Sequence, residues 1–196
     1  MKAAPLDALL AEIRACHLCA AQLPLGPRPV VQASARSRLL IVSQAPGRKV
    51  HDTGVPFNDA SGERLRDWLG IDKTAFYDPS NVAIVPMGFC FPGTGKGGDL
   101  PPRAECAPAW HPRLLPLLNR VRLTLAVGQY AQAGLLGDRR GRTLTATVQA
   151  WRGHLAQDVL PLPHPSPRNQ LWLKRNPWFE TELLPVLRQQ VKEALR

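Results

Sequence analysis

Two groups of residues in this chain have types and spacings suited to chemistry. The first is a set of four cysteines, Cys16, Cys19, Cys90 and Cys106, the only cysteines in 196 residues. Cys16 and Cys19 form a tight Cys-x-x-Cys pair, whereas fifteen residues lie between Cys90 and Cys106. Four thiolates suit tetrahedral zinc or an iron–sulfur cluster. Structural zinc usually takes two close pairs, so the wide second gap favours a [4Fe–4S] cluster, with zinc the alternative. Four unconnected buried thiols are the reading without a metal. The second group is His164-Pro165-Ser166-Pro167-Arg168-Asn169. An imidazole can donate a hydrogen bond to a developing oxyanion. Ser166 can bond a phosphate oxygen through its hydroxyl or amide, and Pro165 and Pro167 fix the loop.

A third run, Gly93-Thr94-Gly95-Lys96-Gly97-Gly98, superficially suggests phosphate binding. It lacks the strand, spacing and Lys-Ser/Thr ending of a P-loop, so no nucleotide cofactor is expected. Lys96 and Arg103 remain candidates for contact with a nucleic-acid backbone.

These groups need elements to position them. Lys and Arg outnumber Asp and Glu by 25 to 15, a net charge of +10 that favours a polyanionic partner. The length suits one well-buried core, so residues 1–196 are expected to form one domain. The first residues lack a signal peptide's apolar run, and nothing approaches the roughly 18 apolar residues of a membrane span. A cytoplasmic monomer that does not engage the membrane is therefore expected, in a compartment where cysteines stay thiols.

Pro5 to Ala15 has helical apolar spacing and ends at the first cysteine pair. Leu39–Val42, Val82–Pro86 and Leu123–Val127 are apolar runs that read as strands buried on both faces. Leu160–Pro163 is a short extended segment leading into His164. Helices are expected over 62–69, 106–119, from Gln129, and over 180–194 with a bend at Pro185. Residues 144–148 suit a strand or a turn, 44–57 a loop, and 88–99 a glycine-rich loop. The alternation argues for an α/β fold, a three-layer α/β/α sandwich around a central, mostly parallel four-stranded sheet. In such sheets functional loops gather beyond the strand carboxyl ends, so Gln44, Met87, Gly128 and His164 should meet at one crevice.

On these residues the chain resembles the uracil-DNA glycosylase superfamily over most of its length. Gln44-Ala45-Pro46-Gly47, Thr53-Gly54-Val55-Pro56-Phe57 and Ser61-Gly62 resemble the first active-site motif of its thermostable, iron–sulfur-containing branches. The four cysteines fall where those branches place their ligands. The His164–Asn169 run is similar to the second motif, most closely in single-strand-selective members. The resemblance implies a monofunctional glycosylase that flips a damaged or deaminated base out of DNA and hydrolyses its N-glycosidic bond. It implies that Phe57 stacks on the base, that His164 stabilises the leaving anion, and that Ala45, Pro46 and Gly47 shape the base site. Ser166, Pro167, Arg168 and Asn169 would then contact DNA, Arg168 as a wedge or phosphate grip, and Gln129 would face the crevice after the third strand.

The departures from that pattern matter as much. Gln44 and Ala45 stand where relatives carry acids, and a glutamine amide cannot remove a proton. Asp52 and Asp59 are the nearby carboxylates that could stabilise a cationic sugar, with His51 behind them. Pro86 stands where the iron–sulfur branch reads uracil with asparagine, and proline offers only a carbonyl acceptor. Met87 beside it would leave a roomier apolar wall, and Asn58 could supply a replacement amide. A non-catalytic binder of damaged DNA that retains fold and cluster is the alternative function.

Overall fold

The structure is a computed structural model and describes residues 5–196. Its central sheet is built from β1 (Leu39–Val42) and β2 (Val82–Ile84). After the small hairpin β3 (Thr94–Gly95) and β4 (Gly98–Asp99), it is completed by β5 (Leu123–Val127) and β6 (Val159–Leu162). The strand order is β2-β1-β5-β6 and every pairing is parallel. β1 lies inside the sheet, with Leu39 in register with both Val82 and Leu123. β6 is an edge strand, which is why it tolerates Pro161: an edge has one unpaired side, so a missing N–H breaks no ladder there.

Because successive strand residues face opposite ways, the apolar runs feed two cores. Leu39, Ile41, Leu125 and Leu160 join Leu65, Trp68, Phe179 and Leu187 on one face. Leu40, Val42, Ala83 and Ala126 join Leu9, Ile13, Leu114 and Ala131 on the other. Burying each such Leu or Ile contributes about 1.5–3 kcal/mol relative to leaving it in water. This two-sided demand explains the absence of polar alternation in the strands and gives the three layers.

The helices supply the outer layers. They are α1 (Pro5–Arg14), α2 (Arg48–Thr53), α3 (Ala60–Leu69), α4 (Lys73–Tyr77) and α5 (Cys106–Leu114). Then follow α6 (Gly128–Leu136), α7 (Leu144–Gln149), α8 (Trp151–Leu155), α9 (Gln170–Arg175) and α10 (Leu184–Leu195). None is long and apolar enough to cross a membrane.

Five segments differ from the sequence expectation. Residues 144–148 form α7, started by the Thr143 side chain accepting from the Ala146 N–H. The helix expected over 106–119 ends at Leu114 and continues as a 3₁₀ turn over Leu115–Leu117, where Pro116 adds no backbone donor. The last helix is not uniform: a π-helical turn over Phe179–Leu183 runs directly into α10, and Pro185 sits in the first turn of α10. The loops expected over 44–57 and 88–99 contain α2 and the β3–β4 hairpin.

Candidate functional site

The carboxyl ends of the strands open into a cleft of about 560 Å³, within the range that holds a small ligand such as a nucleobase. β1 runs into Gln44, Ala45, Pro46 and Gly47, β2 leads to Pro86, β5 to Gln129 and β6 to His164, and all of these line it. Phe57, Asp59, Ser166, Arg168 and Asn169 line it as well.

Phe57 is held in an unusual backbone state. Its φ is +52°, and it is one of two non-glycine residues in the left-handed region among the described residues. Such a conformation costs on the order of 1–3 kcal/mol and persists only when its surroundings enforce it. Here the Phe57 carbonyl accepts from the Arg66 guanidinium and the Tyr77 hydroxyl, each at 3.3 Å. Gly62 makes room: a Cβ there would stand 1.7 Å from the Phe57 oxygen. The Ser61-Gly62 step thus serves to set the angle of the Phe57 ring, which meets Phe76 edge-on at 6.1 Å.

The acids of this first loop have other partners. Asp59 lines the cleft, but one carboxylate oxygen accepts from the Gly62 N–H at 2.9 Å and so caps α3. Asp52 does not line the cleft; it is exposed on α2 and pairs with Arg48 at 3.0 Å. His51 is buried beside Phe91 with its ring centroid 6.0 Å away, outside the cleft lining. Burial, and then Arg28, holds its pKa down. Asn58 is half-buried and does not line the cleft either.

His164 is fixed by its own loop. The Ser166 N–H donates to Nδ1 at 3.2 Å, so in the neutral ring the proton sits on Nε2 and that edge is a donor. The Asn169 amide donates to the His164 carbonyl at 2.7 Å, and Arg64 donates to the Ser166 carbonyl at 3.1 Å. Gly128 has φ +82° and packs against the ring, where a Cβ would lie 3.5 Å from the His164 Cβ. Burial pushes the His164 pKa below the ordinary histidine value, partly offset by the carboxylates of Asp59 and Asp99. The imidazole is therefore neutral at pH 7.

Asp99 is a cleft residue that no sequence motif marks. It ends the β3–β4 hairpin and lines the cleft, close enough to the first loop that a Cβ on Gly47 would stand 3.2 Å from its Oδ2. Among the described residues its carboxylate has no hydrogen-bond or ion-pair partner. The available signal was that it is the only acid between Cys90 and Glu105. Arg168 is exposed and donates to the Gly97 carbonyl at 2.9 Å, closing the His164 loop onto the same hairpin. Lys96 lies exposed at the hairpin tip, outside the cleft lining, and Pro167 is exposed on the far side of its loop.

Two residues near the base site depart from expectation. Met87 is not in the cleft; its thioether packs on Gly134, where a Cβ would lie 2.4 Å from its methyl, and it faces an apolar groove between α5 and α6. The Pro86 carbonyl is already engaged by His111 Nε2 at 3.0 Å. The side-chain amides of Gln44, Gln129 and Asn169 share the cleft.

The four cysteines line one separate pocket together with Leu23, Phe89, Arg103 and Trp110. They come from three segments: the turn after α1, the stretch after β2, and the start of α5. Phe89 N–H donates to Cys106 Sγ at 3.3 Å and Leu18 N–H to Cys16 Sγ at 3.5 Å. Burial pushes the Cys90 thiol up to about 11 and the Cys106 thiol to about 12, with the neighbouring sulfurs adding to it, so a metal must displace protons to bind. Among the described residues no three His, Cys, Asp or Glu side chains are gathered for a single ion. Four sulfurs lining one pocket, two of them accepting backbone N–H donors, are a donor set that fits a thiolate-held metal group. Arg103, expected to touch DNA, instead lies against Cys19 and pairs with Glu105 at 2.8 Å.

The four-stranded parallel sheet is the one expected from the sequence, and the Phe57 and His164 loops line one cleft at its carboxyl ends. A protein-family model described as the Uracil DNA glycosylase superfamily matches residues 30–188. That span holds both cleft loops and the whole sheet, and the chain belongs to the uracil-DNA glycosylase superfamily.

Proposed function

We propose that this protein is a monofunctional DNA glycosylase that hydrolyses the N-glycosidic bond of a flipped, damaged or deaminated base. The observation that carries the reading is the fixed tautomer of His164, a neutral imidazole with Nε2–H as its donor edge in a nucleobase-sized cleft. As the C1′–N bond breaks, its electron pair goes to the base, and a donor aimed at the base oxygen stabilises the anion. A neutral donor suits this better than a cation that could give up its proton early.

The sugar left behind is electron-poor. Asp99 is the carboxylate best supplied for it, since Asp59 is committed to a helix cap and Asp52 to Arg48. Asp99 stabilises the cationic sugar and accepts the proton that water loses as its oxygen joins C1′. No lysine lines the cleft among the described residues, which supports hydrolysis rather than Schiff-base chemistry. The base class is read by the amides of Gln44, Gln129 and Asn169, and the net charge of +10 draws in the DNA. Cys16, Cys19, Cys90 and Cys106 are the residues that would hold a [4Fe–4S] cluster, whose contribution is to tie α1 to α5 and the chain after β2.

Oligonucleotides carrying uracil, hypoxanthine or xanthine, single- and double-stranded, test the proposal. Alkali-sensitive breaks at the lesion are the expected result. Tight binding without breaks on every substrate would replace the enzyme with a damage-binding protein.

A further inference from the structure

Four buried polar side-chain atoms lack a hydrogen-bond partner among the described residues, and two of them belong to the cysteine pocket: Arg103 Nε and Trp110 Nε1. Both are obligate N–H donors. A buried donor without an acceptor is rare in a folded protein and calls for an explanation. The side chains of the remaining lining, with Leu18, Leu23, Pro27, Pro29 and Phe89, are apolar, so the sulfurs are the side-chain acceptors within the pocket.

Both donors are held in place from outside. The Arg103 Nη2 bonds Glu105 Oε1 at 2.8 Å, which fixes the guanidinium plane. The Trp110 ring is covered by Arg113, whose guanidinium carbon stands 5.4 Å from the ring centroid and which pairs with Glu12 of α1. Neutral thiols are weak acceptors, whereas thiolate and sulfide sulfurs of an anionic cluster are good ones.

We propose that Arg103 and Trp110 are an outer donor pair for the sulfurs of a [4Fe–4S] cluster on the four cysteines, positioning residues that set its lifetime and reduction potential. This rests on the cluster reading given above. Each N–H···S bond stabilises the more negative, reduced form, so removing one lowers the potential. Loss of Arg103 acts more strongly because it removes a positive charge as well as a donor.

The test uses full-length protein purified without air, with Arg103→Gln, Arg103→Lys and Trp110→Phe. Loss of iron to a chelator is followed by the visible absorbance, Fe–S stretching frequencies by resonance Raman, and potential by mediated titration. Arg103→Gln should lose iron about 10-fold faster than the parent, with raised Fe–S stretches and a lower potential. Trp110→Phe keeps the ring and should move the same three readouts less. Arg103→Lys restores charge without the Nε donor and should recover the potential more than the stretches. Parental values in both Arg103→Gln and Trp110→Phe would overturn the proposal, and if Arg103→Gln does not fold, Trp110→Phe and Arg103→Lys decide it. Parent protein that holds no iron and sulfide would remove the cluster itself, a different result from unaltered spectra in the variants.

Discussion

The loop that leaves β1 and the loop that leaves β2 approach the same cleft but use their charged residues in opposite ways. In the first, Asp52 is paired with Arg48 on an exposed helix and Asp59 caps α3. In the second, Asp99 reaches the cleft without a partner among the described residues, and Arg103 turns away from it to the cysteines. Helices explain the difference. The first loop contains α2 and leads into α3, and helix starts leave N–H groups that recruit the nearest carboxylate. The second folds as a glycine hairpin whose strands satisfy each other, so its single acid is left over for other work. Nearness in sequence to an active-site motif is thus a poor guide to which acid is chemically available.

His164→Ala sets the scale for testing that contrast, since the ring faces both loops. Loss of the donor should lower the single-turnover rate by about 100- to 1,000-fold. Affinity for lesion DNA should change little, and equal turnover by mutant and parent would remove the imidazole from the chemistry. Asp99→Asn comes next. It keeps size and polarity but cannot accept a proton, and should slow turnover by about 100-fold with binding retained. Parental turnover in Asp99→Asn, with a large loss in Asp59→Asn, would reverse the assignment of the two loops.

The buried histidines offer a comparison through pH. His51 follows the first loop's entry into α2, and His111 lies on α5 beyond the second; burial lowers the pKa of both, as it does for His154 and His164. For each, the folded pKa lies below the unfolded value of about 6.5. The unfolded chain therefore binds more protons on acidification, so stability is full above about pH 6.5 and falls as pH drops through the folded values. Melting temperatures should decline from pH 7 to pH 5. A flat profile would mean that these rings charge freely in the fold.

The sheet was legible because its strands are almost wholly apolar, Thr124 being the one polar residue in the four, and sit between two helix layers, a pattern with few other solutions. The first motif and the His164 loop were legible as residue types on strand ends. Asp99 was not, because a glycine run has no side-chain periodicity and the hairpin that lifts the acid into the cleft is made by backbone pairing alone. The place of Arg103 is hidden for a related reason: a basic residue in a polar stretch suggests phosphate, and only the convergence of three distant segments reveals the sulfurs beside it. Residues 144–148 alternate enough to suit a strand, and the Thr143 cap that makes them α7 depends on a single hydroxyl.

The smallest effects sharpen the contrast within the first loop itself. Asp59→Ala should cost about 1 kcal/mol of stability by removing the α3 cap, and the same substitution releases the Gly62 N–H that helps hold the Phe57 turn. Asp52→Asn removes only an exposed i,i+4 pair with both side chains more than half in solvent. Such pairs contribute on the order of 0–0.5 kcal/mol, so melting temperature and turnover should both stay at parental levels. A drop in turnover without a drop in stability for Asp52→Asn would show α2 moving its acid into the cleft when DNA binds. The first loop would then supply the chemistry, and the division of labour between the loops would fail at its weakest predicted point.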